Sequence, residues 1–222
     1  MADWVTISSL ATAGGTLVLA VATFSSVKSG TRSARLAERS LLAGVQPVLI
    51  PSREDDAPER IRFGDGQVLR VSGHGGALEL AEENGNLYMA IALRNGGAGL
   101  AVIHGWRIEA QGDSRLEALR AGRFEAPEAD SFRRQQRDLY IPAGYTGFWQ
   151  GAIRDRQDAD YASVRSAAES REPVLVDLMY GDHEGGQRTI ARFTISPWEE
   201  LDGERADVVR YWNVDRDDPR ER

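Results

Sequence analysis

Residues 87–108 read LYMAIALRNGGAGLAVIHGWRI, and the fold class turns on them. Leu87, Met89, Ile91 and Leu93 alternate with Tyr88, Ala90, Ala92 and Arg94, the period-two pattern of a β-strand. A turn follows at Asn95, Gly96, Gly97, Ala98 and Gly99, where a missing Cβ permits positive φ. A second alternation then sets Leu100, Val102, His104, Trp106 and Ile108 on one face.

Working outward, the same period recurs in short pieces. A first strand is predicted at 48–50, after Gln46-Pro47 ends a helix, because the residue before proline avoids helical dihedrals. Residues 51–59 read as a surface loop. Strands at 60–64 and 67–71 are joined by the hairpin turn Gly64-Asp65-Gly66. Downstream strands are predicted at 137–141, 147–153, 174–180 and 188–195, with turns at Pro142-Ala143-Gly144 and from Gly181 to Gly186. One helix is predicted over 158–170. Many short strands separated by Gly/Pro turns predict a mainly β domain, a sandwich of antiparallel sheets. Within the charged segment 198–222, Val208, Val209, Tyr211, Trp212 and Val214 are too apolar for a free tail and are expected to dock, as an extra strand.

The turn motifs carry a resemblance. Leu-Arg-Asn-Gly-Gly from Leu93, Ile-Pro-Ala-Gly from Ile141, and Tyr180-Gly181-Asp182 ahead of a Phe-bearing last strand resemble an immunoglobulin-like module. Similar signals occur in bacterial cell-adhesion-type β-sandwich domains and in single-pass membrane-anchored proteins. The resemblance spans residues 84–197 and implies an immunoglobulin-like antiparallel β-sandwich. The helical insertion before Pro173 and the long loop from Gln111 to Gln136 depart from it. No catalytic residue carries over, because none of these motifs is catalytic.

The N-terminus reads differently. Residues 4–27 hold no charge, and Leu10, Leu17, Val18, Leu19, Val21 and Phe24 make the run apolar enough to predict a transmembrane anchor. Ala20 and Ala22 offer the rival reading of a cleaved signal peptide, which lacks its basic leading region here. Lys28, Arg32, Arg35 and Arg39 follow the span, on a basic juxtamembrane helix over 28–45. They predict an inner-membrane protein with its N-terminus outside and the 46–197 domain cytoplasmic. Those bases read equally as a headgroup-contacting stripe or as an ordinary stop-transfer flank.

Composition narrows function by exclusion. A net charge of −7 argues against a nucleic-acid partner. Only Lys28 among 27 basic residues is lysine, a compositional bias that marks no patch. With no cysteine, disulfides, thiolate zinc sites and cysteine nucleophiles are excluded together. Asp177, Asp182 and His183, beside Glu184, are the best metal candidates, yet consecutive residues at a hairpin tip point apart, so no metal or other cofactor is expected. His104 is expected as a hydrogen-bonded core or near-core histidine, and His74, in Ser72-Gly73-His74-Gly75-Gly76, as part of a flexible loop. Tyr140, Tyr145, Phe148 and Trp149 flank the Pro142 turn as a candidate partner patch, half of it core. The leading expectation is an interaction module that binds another protein. The alternatives are a metal-dependent hydrolase around Asp177, Asp182 and His183, and an accessory subunit packing through Ala11, Gly14 and Gly15.

Overall fold

The computed structural model describes residues 3–110, 125–198 and 203–216; in the N-terminal helix it describes the backbone but not the side chains of 4–11, 39 and 43. The chain divides into two compact units, Met1–Gly44 and Val45–Arg222.

The first unit is one helix, α1, Trp4–Gly44. The expected span and the expected basic segment are therefore one uninterrupted helix of 41 residues, about 60 Å long at ~1.5 Å per residue. Its apolar side chains are uncovered: Leu17 is 67% and Phe24 72% exposed. Thr16 and Thr31 turn their hydroxyls back to the carbonyls of Thr12 and Val27, which satisfies them inside the helix. Among the described residues no helix is long and apolar enough to cross a membrane. The expected span was 4–27; side chains 4–11 lie outside the described residues, and Thr12, Gly14, Gly15 and Thr16 dilute what remains before Lys28.

The second unit is mainly antiparallel β. Its elements are β1 Leu49–Pro51, β2 Glu59–Arg62, β3 Val68–Val71, β4 Gly75–Leu80, β5 Leu87–Asn95, β6 Ala101–Ala110, β7 Arg133–Ile141, β8 Thr146–Ile153, α2 Tyr161–Ser170, β9 Val174–Gly181, β10 Thr189–Trp198 and β11 Gly203–Asn213. Among the described residues nine strands form one sheet, running β8-β5-β4-β11-β10-β9-β6-β7, with β1 extending the β4 side of β5; β2 and β3 form a separate hairpin. Instead of two separate sheets, one sheet curls into a sandwich-like half-barrel. Its two end strands, β7 and β8, are consecutive in sequence. The segment around Val208 and Trp212 is β11, paired with β10 along its length.

Two cores meet at β5. Leu87, Met89, Ile91 and Leu93 face the barrel interior with Trp149, Val176, Tyr180 and Phe193, and Tyr161 and Val164 of α2 join them. Tyr88, Ala90 and Ala92 face the opposite way, under Ile61, Phe63, Leu69 and Val71 of the β2-β3 hairpin. The expected alternation holds, but both faces are buried because the hairpin forms a second layer.

Three expectations need correction. The expected face of Leu100, Val102, His104, Trp106 and Ile108 breaks at a β-bulge, where His104 is an extra residue against β9 and the register against β7 also shifts. The period slips by one there, so Ala101 and Ile103 point into the core before the bulge, and Trp106 and Ile108 after it. Gly96, Gly97 and Gly99 do not adopt positive φ. Glycine is needed there for close approach, since a Cβ at Gly97 or Gly99 would collide with the Gln46 or Val45 carbonyl. Finally, Gly75 and Gly76 belong to strand β4, and Gly73 is wedged against the Arg53 carbonyl, so this stretch is packed rather than a flexible loop.

The β4–β11 seam is short, only Gly76↔Glu204 and Arg205↔Gly75. Beyond it the Leu78 N–H donates to the Glu204 carboxylate in place of a backbone partner. Burial pushes the Glu204 carboxyl up to about 7, outweighing the opposing Leu78 bond. A folded-state value raised above the unfolded one stabilises below the unfolded pKa, and that stability is lost as pH rises through about 7. Glu204→Gln should therefore gain on the parent protein by about 2 kcal/mol between pH 5.5 and 8, roughly 5 °C in Tm for a unit this size. Thermal melts of both proteins across that range check it. A constant difference would place the titration elsewhere.

Candidate functional site: an arginine-lined cleft between the sheet ends

A turn at 142–145, closed by the Tyr145 N–H donating to the Pro142 carbonyl, joins β7 to β8. Past that turn the two strands do not pair with each other. The cause lies in β7. Leu139 pairs with Ile103 and Arg134 with Gly105, so residues 135–138 oppose the single residue His104. Four residues facing one must bow outward. The result is a cleft of about 1480 Å³ lined from three sides: Arg62 to Asp65 from the β2-β3 hairpin, 133–138 from β7, and Gln150 to Ala152 with Arg154 from β8.

Its floor is Trp106, which meets Trp149 edge to face at 5.5 Å. Gly151 leaves room for that pair, since a Cβ there would meet Trp149 at 2.7 Å and Trp106 at 3.2 Å. Across the gap the Gln135 side-chain amide donates to the Gln150 carbonyl at 3.3 Å. That assigns the Gln135 orientation, because a carbonyl only accepts. Gln135 Oε1 and Gln150 Oε1 are buried and have no partner among the described residues.

Five arginines line the cleft: Arg62, Arg133, Arg134, Arg137 and Arg154; Asp65 and Asp138 are its acidic residues. Two of the five are held in place. Arg133 lies 5.2 Å over the Trp106 ring and bonds Asp158 at 2.6 Å and Asp160 at 2.5 Å. The Arg133 bond in turn holds the Asp158 carboxyl below its ordinary value. Arg154 pairs with Asp65 at 2.9 Å, and the Tyr88 hydroxyl donates to the same carboxylate at 2.7 Å. Burial pushes Asp65 up, but those two donors together bring it below the usual carboxylate range. Arg62, Arg134 and Arg137 are exposed and have no ion-pair partner among the described residues.

The residues singled out from sequence lie elsewhere. Asp177 is buried in β9 under a two-bond fork from Arg192, at 2.6 and 2.8 Å, with Arg107 at 3.8 Å. Asp182 closes the β9-β10 turn, accepting from the N–H groups of Glu184 at 3.0 Å and Gly186 at 2.9 Å. His183 is exposed beside Glu184, 4.0 Å away. Four residues of strand lie between Asp177 and Asp182, five steps or roughly 16 Å, and no cluster of three metal-ligating side chains occurs among the described residues.

His104, expected to be hydrogen-bonded, has a buried Nε2 with no partner among the described residues, packed against Gly181. Desolvation, with Arg188 nearby and Asp182 opposing, holds its pKa down. His74 contacts Asp207 at 3.1 Å. Of the aromatic group, Tyr140 and Tyr145 are 56% and 68% exposed, Phe148 is half-buried and Trp149 is fully buried. Lys28, Arg32 and Arg35 are exposed on α1, and the Arg39 side chain lies outside the described residues.

The cleft arginines escape sequence reading because they come from three separated strands. The one local signal is Arg133-Arg134-Gln135-Gln136-Arg137, a basic and amide-rich run that reads as loop. Neither a protein-family model, nor a curated protein, nor a solved structure matches the chain.

Proposed function

We propose that residues 45–222 form an interaction module that binds an acidic partner protein in the β7–β8 cleft, and that α1 anchors the module in the inner membrane. The carrying observation is charge. On a chain of net charge −7, one cleft gathers five arginines against two aspartates, and three of those arginines are exposed with no ion-pair partner among the described residues. Exposed arginines around an aromatic floor suit protein contact, because arginine and tryptophan dominate interface energetics. The anchor rests on the uncharged run 4–27 and on the exposed apolar side chains of α1. Lys28, Arg32, Arg35 and Arg39 favour an outside N-terminus and a cytoplasmic module. Kinship with immunoglobulin-like modules rests on the turn motifs and the sandwich-like antiparallel sheet.

The test uses full-length protein in detergent and a fluorescent decaglutamate, with decalysine as control. Decaglutamate should bind, weaken with salt, and lose about tenfold in affinity in the double variant Arg134→Glu/Arg137→Glu. Equal binding by parent and variant, or preference for decalysine, would overturn the cleft as the site.

A further inference from the structure

We infer that the occupant of the cleft is an extended acidic peptide segment that enters as a strand between β7 and β8 and closes the half-barrel. The inference rests on the reading of the cleft as an acidic-partner site and adds the mode of binding. Both strands that flank the cleft are sheet ends. Among the described residues β7 pairs only with β6, and β8 only with β5. Each therefore offers a row of backbone donors and acceptors, the template that strand addition uses.

The parity of the hydrogen bonds shows which groups of β8 are free. On the far side of β5 the Ala92 carbonyl accepts from the Ser52 N–H, at 3.0 Å. Ala90 and Tyr88 share that direction, toward β1 and β4, because strand groups alternate. The Leu78 N–H agrees, since it points away from β5 to Glu204. Met89 and Ile91 then bond β8 through Gly151 and Trp149, their register partners. Phe148, Gln150 and Ala152 are left with N–H and C=O turned away from β5, and Gln150 and Ala152 line the cleft. The Gln135 bond to the Gln150 carbonyl confirms that direction independently. Among the described residues it is the only partner any of these groups has there.

The side chains specify the chemistry of the guest. A strand in this slot turns alternate residues to opposite faces. Trp106 and the exposed Arg62, Arg134 and Arg137 all line the slot, so such a strand has both an aromatic and a cationic surface within reach. That selects glutamate or aspartate alternating with small or apolar residues. Gln135 Oε1 and Gln150 Oε1, buried acceptors without donors, suit backbone N–H groups. Gln135 already spans the gap where a ladder bond would be, as a side-chain substitute for the missing strand.

The probe is a ten-residue peptide alternating glutamate with threonine and valine, tested beside a copy N-methylated at every second residue and a ten-nucleotide oligothymidylate. Full-length protein in detergent is titrated with each. Strand addition expects the parent peptide to bind and the methylated copy to bind at least tenfold more weakly. It also expects slowed hydrogen exchange at the Phe148, Gln150 and Ala152 amides. Gln150→Pro should weaken the parent peptide similarly, since it removes a cleft-facing N–H and no β5 ladder bond; the methylated peptide decides if that variant fails to fold. Equal binding of both peptides would overturn the strand mode and leave the acidic-partner reading standing. Tighter oligothymidylate binding would overturn the peptide as occupant, and binding of none of the probes would remove both readings.

Discussion

Replacing Asn95 with alanine should lower the stability of the 45–222 unit by about 3–5 kcal/mol and its Tm by roughly 10 °C or more. Asn95 is fully buried and its side chain is bonded on every side. Nδ2 donates to the Gly99 carbonyl at 2.6 Å and to the Ile141 carbonyl at 2.9 Å. Oδ1 accepts from the N–H groups of Gly97 at 2.9 Å and Val48 at 3.2 Å. One side chain thus ties the chain leading into β1, the β5-β6 turn and the end of β7. Its backbone adds two more ties, from the Asn95 N–H to Tyr145 and from the Gly144 N–H to the Asn95 carbonyl. Alanine leaves four backbone groups without their partner, and each buried orphan costs about 1–3 kcal/mol less whatever relaxation or water returns. Asn95→Asp keeps the size but turns a carboxylate oxygen toward the Gly99 and Ile141 carbonyls, so it should be no milder at neutral pH. Thermal melts of both variants decide the matter. A loss below about 1 kcal/mol for alanine would show that water takes over these bonds.

The same residue shows what the sequence made legible. The motif Leu-Arg-Asn-Gly-Gly marks a turn, and a turn is there; the reason for its glycines is contact with residues 45–48, fifty positions earlier, which no local pattern contains. β5 was legible because Leu87 to Leu93 alternate without interruption and propensity agrees with pattern. β6 was half legible, because a bulge at His104 slips the period without changing composition. The start of β7 was hidden, since Arg133 to Arg137 is polar on both faces and lines an open cleft instead of a core. β4 was hidden by its glycines, which sit where Ile195 and the Ser72 backbone press close. The cleft itself could not be read, because it exists only once the sheet has curled far enough to bring its ends together.

Removing one member of the Asp177–Arg192 pair should cost about as much as losing Asn95, and for a different reason. Both side chains are almost completely buried, the carboxylate at 2% and the guanidinium at 5% exposure. The fork is bidentate, Arg107 stands 3.8 Å from the same carboxylate, and the Arg192 guanidinium lies 5.0 Å over the Trp212 ring. Asp177→Ala leaves a desolvated cation with no bonded carboxylate, only the Trp212 ring face and the more remote Glu109 charge beside it, an effect on the order of 3–5 kcal/mol. Two charges buried together also carry a large shared desolvation cost, so an apolar pair of similar size removes cost and benefit at once. The double variant Asp177→Leu/Arg192→Met should therefore recover most of the loss. A double-mutant cycle by denaturant unfolding measures the coupling directly. It also tests the hydrolase alternative, in which Asp177 would be a metal ligand or catalytic carboxylate. In that role the parent protein would melt several degrees lower in EDTA, and the apolar double variant would lose this dependence along with any hydrolytic activity. A structural pair expects melts of the parent protein indifferent to EDTA, a coupling above about 2 kcal/mol and a stable double variant. Stability that stays low in the double variant would mean the site needs the carboxylate itself.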